Sequence, residues 1–343
     1  MPVEPAGPKS ETLTSIEICA GAGGQALGLE RAGFEHLAVV EIEPWAVETL
    51  LLNRPHWNVI GPRVGDAPPF TGKPGDVRAF TASEWEGEVD LLAGGVPCPP
   101  FSKAGQQLGA RDERDLFPEA LRLVEECMPR AVMLENVRGL LDAKFESYRK
   151  RIKRRLRKLG FEADWELLQA SDFGVPQLRP RSILVAIRED EFSGFKWPKK
   201  ESEPPTVGDR LHDLMAAGGW AGAGEWRAAA QRIAPTLVGG SKKHGGPDLG
   251  PTRAKREWAK LGVDGHGLAN EPPTEKFKGA PRLTVRMAAR LQGFGDEWKF
   301  AGGKTAQYRQ VGNAFPPPVA AAVGAKIASQ LRSAAVELEQ VAA

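Results

Sequence analysis

Cysteine is scarce: Cys19, Cys98 and Cys127 are the only three in 343 residues. They are odd in number and nowhere spaced CxxC, which argues against a disulfide framework and against a thiolate metal site. The five histidines are scattered without an HxxxH spacing, so no zinc ligand set is visible and metal-free chemistry is expected. Long apolar runs are missing, as is any basic-then-apolar leader, and a cytoplasmic protein is expected on that basis. Net charge is small: 46 Lys and Arg against 44 Asp and Glu leave +2, so the whole chain does not announce a nucleic-acid partner. No internal repeat or low-complexity tract is present, which excludes a repeat architecture.

Alternation of strand-like and helix-like segments fills the first half. "SIEICAGAGGQALGLERAG" reads as a strand, a glycine turn and a helix, and "HLAVVEIEPWAVETLLLN" repeats the pattern. "VDLLAGGVPC" and "AVMLENV" read as buried strands, separated by a helix over "DLFPEALRLVEECMP". "SYRKRIKRRLRKLG" reads as a basic helix with Ile152, Leu156 and Leu159 inward and a solvated outer face. "FEADWELLQASDFG" and "RSILVAIR" read as two more strands of the same parallel α/β sheet. From about Glu191 clusters of Pro and Gly break every periodicity, and regular helix returns with "TVRMAARLQGF". The expected division is a flexible tail over 1–14, a catalytic and cofactor-binding domain over 15–190, and an irregular inserted domain over 191–282. A hinge segment over 283–310 and a C-terminal return over 311–343 follow. Charge is uneven along this plan: from Phe192 to Arg290 there are 17 Lys and Arg against 10 Asp and Glu, which suits a surface facing a polyanion.

Three places carry chemistry. "GAGGQA" after the first strand matches the GxGxxG/A fingerprint, and Glu41 ends the next strand 18 residues after Gly23. The glycines let a ligand approach the backbone and the carboxylate can accept from a ribose diol, a pattern shared by nicotinamide and S-adenosylmethionine enzymes. In "GGVPCPPFSKAG", Pro97 and Pro99 fix the backbone on both sides of Cys98. A thiol held there at a strand end suits an attacking nucleophile. Glu135 of "ENV" ends the next strand, where a carboxyl group can share the thiol's substrate.

"AGAGG", "GGVPCPPFS", "ENV", "QLRPR", "RLQGF" and "GNAFPPPVA" occur in the order and spacing of the DNA (cytosine-5) methyltransferases, and from about Ile16 to Ala325 the chain resembles that family. The resemblance implies a Rossmann-like, S-adenosylmethionine-dependent methyltransferase sheet with a smaller inserted target-recognition domain. It implies Cys98 as the nucleophile that adds to C6 of a flipped-out cytosine, Glu135 as the carboxyl group at N3, and Arg179 and Arg181 as the pair holding the ring oxygen. For S-adenosylmethionine it implies Cys19, Ala20, Gly21, Gly23 and Gly24 of the turn and Glu41 on the ribose. Ile42 would lie on the adenine, Asp76 and Val77 at the adenine edge, and Pro97 and Leu116 at the methionine part. Asn313 and Ala314 would return to that pocket from the C-terminal end.

Double-stranded DNA is the implied partner of this single-subunit enzyme, with a cognate restriction endonuclease as companion. Ser102, Gln107 and Arg114 of the loop after Cys98 are the implied contacts on the catalytic side. Thr236, Lys242, Lys243, His244, Arg253 and Arg256 are those of the inserted domain. A cytosine-5 methyltransferase of transfer RNA shares these motifs, but a basic insertion of this size favours duplex DNA. A nicotinamide oxidoreductase would leave Cys98, Glu135 and Arg181 without a task, and the same three speak against a binding module without catalysis. The chain departs from the family at Cys19 and Ile42, where aromatics are common, and at Met287, where an acidic residue is common.

Overall fold

The computed structural model describes residues 12–97, 115–192, 194–200, 203–240 and 246–342, with side chains described as far as Ala334. The apolar runs form the strands β1 (Leu13–Ile18), β2 (Phe34–Val40), β3 (Val59–Ile60), β4 (Leu91–Gly95), β5 (Ala131–Val137), β6 (Phe161–Gln169) and β7 (Pro180–Arg188). They make one sheet in the order β3-β2-β1-β4-β5-β7-β6. The pairs from β3 to β5 are parallel, and β7 runs antiparallel to both its neighbours. The chain therefore builds outward from β1 to β3, then returns to the other side of β1 with β4. That reversal opens a crevice at the C-terminal ends of β1 and β4, where open α/β sheets bind ligands. Leu13 and Thr14, expected in a tail, are the first residues of β1, and the two-residue β3 is too short for a periodicity reading to find.

Alternation along the strands splits the core. Ile16, Ile18, Leu92, Val132 and Leu134 face α3 (Phe117–Cys127) and α4 (Glu146–Lys158). Leu91, Ala93, Ala131 and Met133 face the C-terminal helix α10 (Pro317–Ala342), which also lies along α1 (Gly24–Arg31). In α4, Tyr148, Ile152 and Leu156 turn inward. Its outer cations meet acids: Lys150 with Glu146, Lys153 with Asp164 and Arg155 with Glu125.

The region expected to be a separate insertion contains α5 (Val207–Ala216), α6 (Ala223–Ala229) and α7 (Thr252–Ala259), and no named strand among its described residues. Its apolar residues Leu211, Trp226, Leu237, Trp258 and Leu268 share one cluster with α8 (Val285–Leu291), Phe294 and Trp298, and with Ala22 and Leu27 beside the first strand. Buried area thus ties it to the segment that follows, which ends in α9 (Lys304–Asn313). Thr284 caps α8 by accepting from Met287 N at 3.2 Å, while Thr284 N donates to Met287 Sδ at 3.4 Å. The thioether occupies the place a capping carboxylate would take. No helix among the described residues is long and apolar enough to cross a membrane.

At the opposite edge of the sheet from the crevice, Arg130 Nη1 donates to Asp90 at 2.8 Å, Nε and Nη2 donate to Glu191 at 2.5 and 2.7 Å, and Nη2 also reaches Leu331 O. This guanidinium fastens α10 and the chain beyond β7 to the sheet. Arg130→Met should lower stability by about 2–4 kcal/mol, because it strands two mostly buried carboxylates. Urea unfolding measures it as a lower midpoint at unchanged slope.

Candidate functional site

The site starts at the turn after β1. Gly21 and Gly23 have φ of +56° and +83°, a region that costs a side chain about 1 kcal/mol or more. Gly21 N donates to Glu41 Oε2 at 2.6 Å and Glu43 N to Oε1 at 2.7 Å. The end of β2 is thereby fixed to the turn. Burial pushes the Glu41 carboxyl above its usual range, against the pull of these N–H groups. A Cβ built on Gly21 would meet nothing within 4 Å, whereas one on Gly23 would press on Leu50 at 2.7 Å and Trp298 at 3.0 Å. One side of the turn is open and the other is packed. Trp298 Nε1 donates to Ala22 O at 3.1 Å from beneath, a contact from 276 residues away that no sequence pattern marks. Cys19 has φ of +52°, and burial raises its thiol far above the ordinary range, which leaves it inert.

Ile42 stands at the open side, 37% exposed. Val77 is buried. The Asp76 carboxylate accepts from Gly72 N, Arg78 N, Arg78 Nε and Arg78 Nη2 at 2.7–3.1 Å. Burial raises this carboxyl, and the Arg78 and backbone donors outweigh it, so the net shift is downward. Its lone pairs are committed to its own turn, so it closes that turn instead of presenting a free acceptor to an adenine. Pro97 and Leu116 border the segment 98–114, and Leu116 is the N-cap of α3. Cys98, Ser102, Gln107 and Arg114 lie outside the described residues, as do Lys242, Lys243 and His244.

On β5, Glu135 accepts from Arg181 Nε at 2.6 Å, each side chain about 12% exposed. The register pairs Val137 with Arg181 and Glu135 with Ile183, so acid and base are diagonal neighbours on one face, within reach for long side chains. Burial raises the Glu135 carboxyl, Arg181 and Arg179 draw it down, and the net direction is upward. Glu17 of β1 lies on the same face, two strands away across Ala93. It is fully buried, and neither carboxylate oxygen has a hydrogen-bond partner. Burial, then the charge of Glu135, pushes its carboxyl pKa far upward, which favours the protonated form. A lone carboxyl in the apolar strand "SIEI" was the available sequence signal for it.

Arg179 does not pair with Glu135. It is 1% exposed; Nη1 donates to Gln177 Oε1 and Leu237 O, and Nη2 to Gly312 O and Ala314 O, at 2.8–3.4 Å. Gln177 completes the knot, accepting from Leu237 N at 2.8 Å and donating to Leu291 O and Gln292 Oε1. Asn313 is exposed and donates to Gly240 O at 3.4 Å, which places it against the inserted region. Thr236 Oγ1 donates to Leu178 O. Arg253 and Arg256 are exposed on α7.

Arg179→Met should destabilise by about 3–5 kcal/mol, because it leaves buried carbonyls without donors. Arg179→Lys should recover only part of this, since one ammonium cannot span four acceptors. Urea midpoints of the two variants decide it. For Glu17 the folded pKa lies above the unfolded one, so its contribution is whole below about pH 4.3 and is lost as pH rises toward the folded value. Glu17→Gln removes that loss. Its stability relative to wild type should rise as pH climbs above about 4.3, by up to ~1.4 kcal/mol per pH unit until the folded pKa is passed; parallel curves would show that the Glu17 pKa is not raised.

A model of the C-5 cytosine-specific DNA methylases matches residues 13–329. Over 324 residues the chain is 56% identical to the Type II methyltransferase M.NgoMIV of Neisseria gonorrhoeae, covering 93% of this chain and 98% of that protein. It is equally 56% identical over 324 residues to the Type II methyltransferase M.NaeI of Lentzea aerocolonigenes, covering 94% and 76%. Among solved structures, the Dnmt2 methyltransferase of S. pombe matches with a TM-score of 0.60 at 17% identity, covering 94% of this chain and 99% of that one. The methyltransferase EhMeth of Entamoeba histolytica matches with a TM-score of 0.62 at 15% identity, covering 94% and 99%. These two likenesses show the fold. The match of the family model along nearly the whole sheet and its C-terminal return, together with two relatives more than half identical, places this chain in the C-5 cytosine-specific DNA methylase family.

Proposed function

We propose that this enzyme methylates C5 of a cytosine in a specific double-stranded DNA sequence, through a covalent bond between Cys98 and C6 of the base. The Glu135–Arg181 pair at 2.6 Å carries the reading. It stands on the strand next to β4, and Cys98 follows the end of β4 by three residues. Cytosine C5 is a poor nucleophile. Addition of the Cys98 thiolate to C6 pushes an electron pair toward N3 and leaves C5 enamine-like. A carboxyl group kept above its usual pKa can hold a proton at N3 as that charge develops, and the direction of the Glu135 shift suits this. Arg181 orients the carboxyl group and would donate to the ring oxygen. After C5 is substituted, loss of its proton restores the ring and expels the Cys98 thiolate.

S-adenosylmethionine, when bound, supplies an electrophilic methyl group. The residues present fit it at the turn: the space over Gly21 is open, and Glu41 keeps a lone pair on each oxygen after accepting one N–H apiece. Ile42 offers an aliphatic cover in place of an aromatic one. Asp76 fits less well, because Arg78 would have to yield before it accepted from an adenine amino group. The C5 and C6 atoms of a stacked cytosine cannot be reached, so the base must leave the duplex. Ser102, Gln107, Arg114 and Thr236, with Lys242, Lys243, His244, Arg253 and Arg256, are the proposed DNA contacts, the last six in a region that reads the groove.

DNA is favoured over transfer RNA by the family and by two relatives named as Type II methyltransferases. The same names support a cognate restriction endonuclease as companion. The test is bisulfite sequencing of DNA from a host lacking cytosine methylation that expresses wild type or Cys98→Ala. Wild type should protect one cytosine in one repeated motif, and the variant none; protection by Cys98→Ala at the wild-type level overturns the nucleophile. Glu135→Gln should lose about 10²–10⁴-fold in turnover with S-adenosylmethionine affinity nearly unchanged.

A further inference from the structure

An isolated parallel bridge joins Gln177 to Ala234, and Leu178 N donates to Ala234 O at 2.8 Å. The two segments therefore run side by side as a short ribbon with a buried side and an exposed side. Gln177, Arg179 and Leu237 point inward and are at most 1% exposed, whereas Leu178 and Val238 point outward at 49% and 43%, with the half-buried Thr236 between them. The inward face is locked by the Arg179 and Gln177 hydrogen bonds, so the outward face is rigid. Leu178 stands two residues before β7, at the end of that strand where Val137 pairs with Arg181. A Cβ placed on Gly250 would lie 3.6 Å from Val238 Cγ2 and 3.5 Å from Ala254 Cβ, so the start of α7 flanks Val238. There Arg253 and Arg256 are exposed, and neither guanidinium forms an ion pair with a described side chain.

Two large aliphatic side chains held out to water on a locked ribbon, with unpaired cations beyond them, match the two chemistries of a DNA strand. Sugars and base faces are apolar, and phosphates are anionic. Extruding a base exposes the faces of its neighbours, and an apolar surface offsets part of that cost. We propose that Leu178 and Val238, on either side of Thr236, form an apolar lip on which the strand carrying the target cytosine rests, against the sugar and base next to the extruded one. Arg253 and Arg256 meet the phosphates outside it. This rests on the proposed DNA methylation and adds a specific surface to it.

The test uses the full chain and a duplex containing the motif found by bisulfite sequencing, with 2-aminopurine at the target position. The double variant Leu178→Ser, Val238→Ser should bind this duplex about fivefold to tenfold more weakly and give a smaller fluorescence rise. Its melting temperature and its affinity for S-adenosylhomocysteine should stay at wild-type values, because both side chains are exposed. A duplex with a mismatch at the target, from which the base leaves more easily, should recover part of the lost turnover. Wild-type affinity and fluorescence in the variant overturn the lip, as does a loss that appears equally in melting temperature and in cofactor affinity. A wild-type protein that methylates no DNA would instead overturn the proposed function on which the lip depends.

Discussion

Burying the Arg179 guanidinium is the constraint on which the site's assembly depends. A cation removed from water is costly unless its donors are met, and here carbonyl and amide oxygens meet all but Nε. Those acceptors belong to three stretches far apart in sequence: Gln177 before β7, Leu237 in the inserted region, and Gly312 and Ala314 at the end of α9. Carbonyls satisfy the guanidinium only if the three backbones hold one arrangement. Gly312 and Gly239 permit it, since a Cβ on Gly312 would come within 2.4 Å of Gly239 Cα. Bare backbone crosses bare backbone, and Arg179 closes the crossing from beside it.

That fixed crossing leaves Arg181, two residues on, free to pair with Glu135. Of the two arginines in "QLRPR", one is spent on architecture and the other faces Glu135. The division follows from strand alternation modified by the entry to β7, because Arg179 precedes the strand and turns into the junction while Arg181 joins the ladder opposite Val137. Glu17 adds a second condition. An ionised carboxylate on the same face would repel the charge of Glu135 and weaken its pairing with Arg181. Burial favours the uncharged form of Glu17 and so works against that repulsion.

Much of this was legible in the chain. Apolar runs ending in glycine or an acid gave six of the seven strands, and the turn after β1, Glu41, Glu135 and Arg181 fall where strand-end chemistry predicts. The losses have physical causes. The strand β3 has two residues, below any periodic signal. The insertion's Pro and Gly clusters read as independence, yet its tryptophans and leucines bury themselves against α8 and the chain after it, and composition cannot show which surfaces share a core. The tasks of Arg179, Asp76 and Asn313 depend on partners 2 to 135 residues away, and spacing within a motif is silent about them. Met287 stands where an acidic residue is common, and its sulfur completes the cap of α8.

The stretch from α8 to α9 has the least chemistry of its own and the widest reach. Trp298 lies under the glycine turn, bonded to Ala22 O, with the Arg54 guanidinium 5.3 Å from its ring and Phe294 stacked on it. Fifteen residues on, Asn313 and Gly312 lie under the ribbon that bears Leu178 and Val238. One continuous segment thus supports the glycine turn after β1 at one end and the ribbon of Leu178 and Val238 at the other. Between them Gln310 is bonded to Thr49 of α2 (Pro44–Asn53) and to Ala301, which makes the support stiff. Methyl transfer requires donor and extruded base to meet within a few tenths of an ångström. If the proposed cofactor and DNA surfaces are right, carrying both on one braced segment holds that spacing better than carrying them on separate loops.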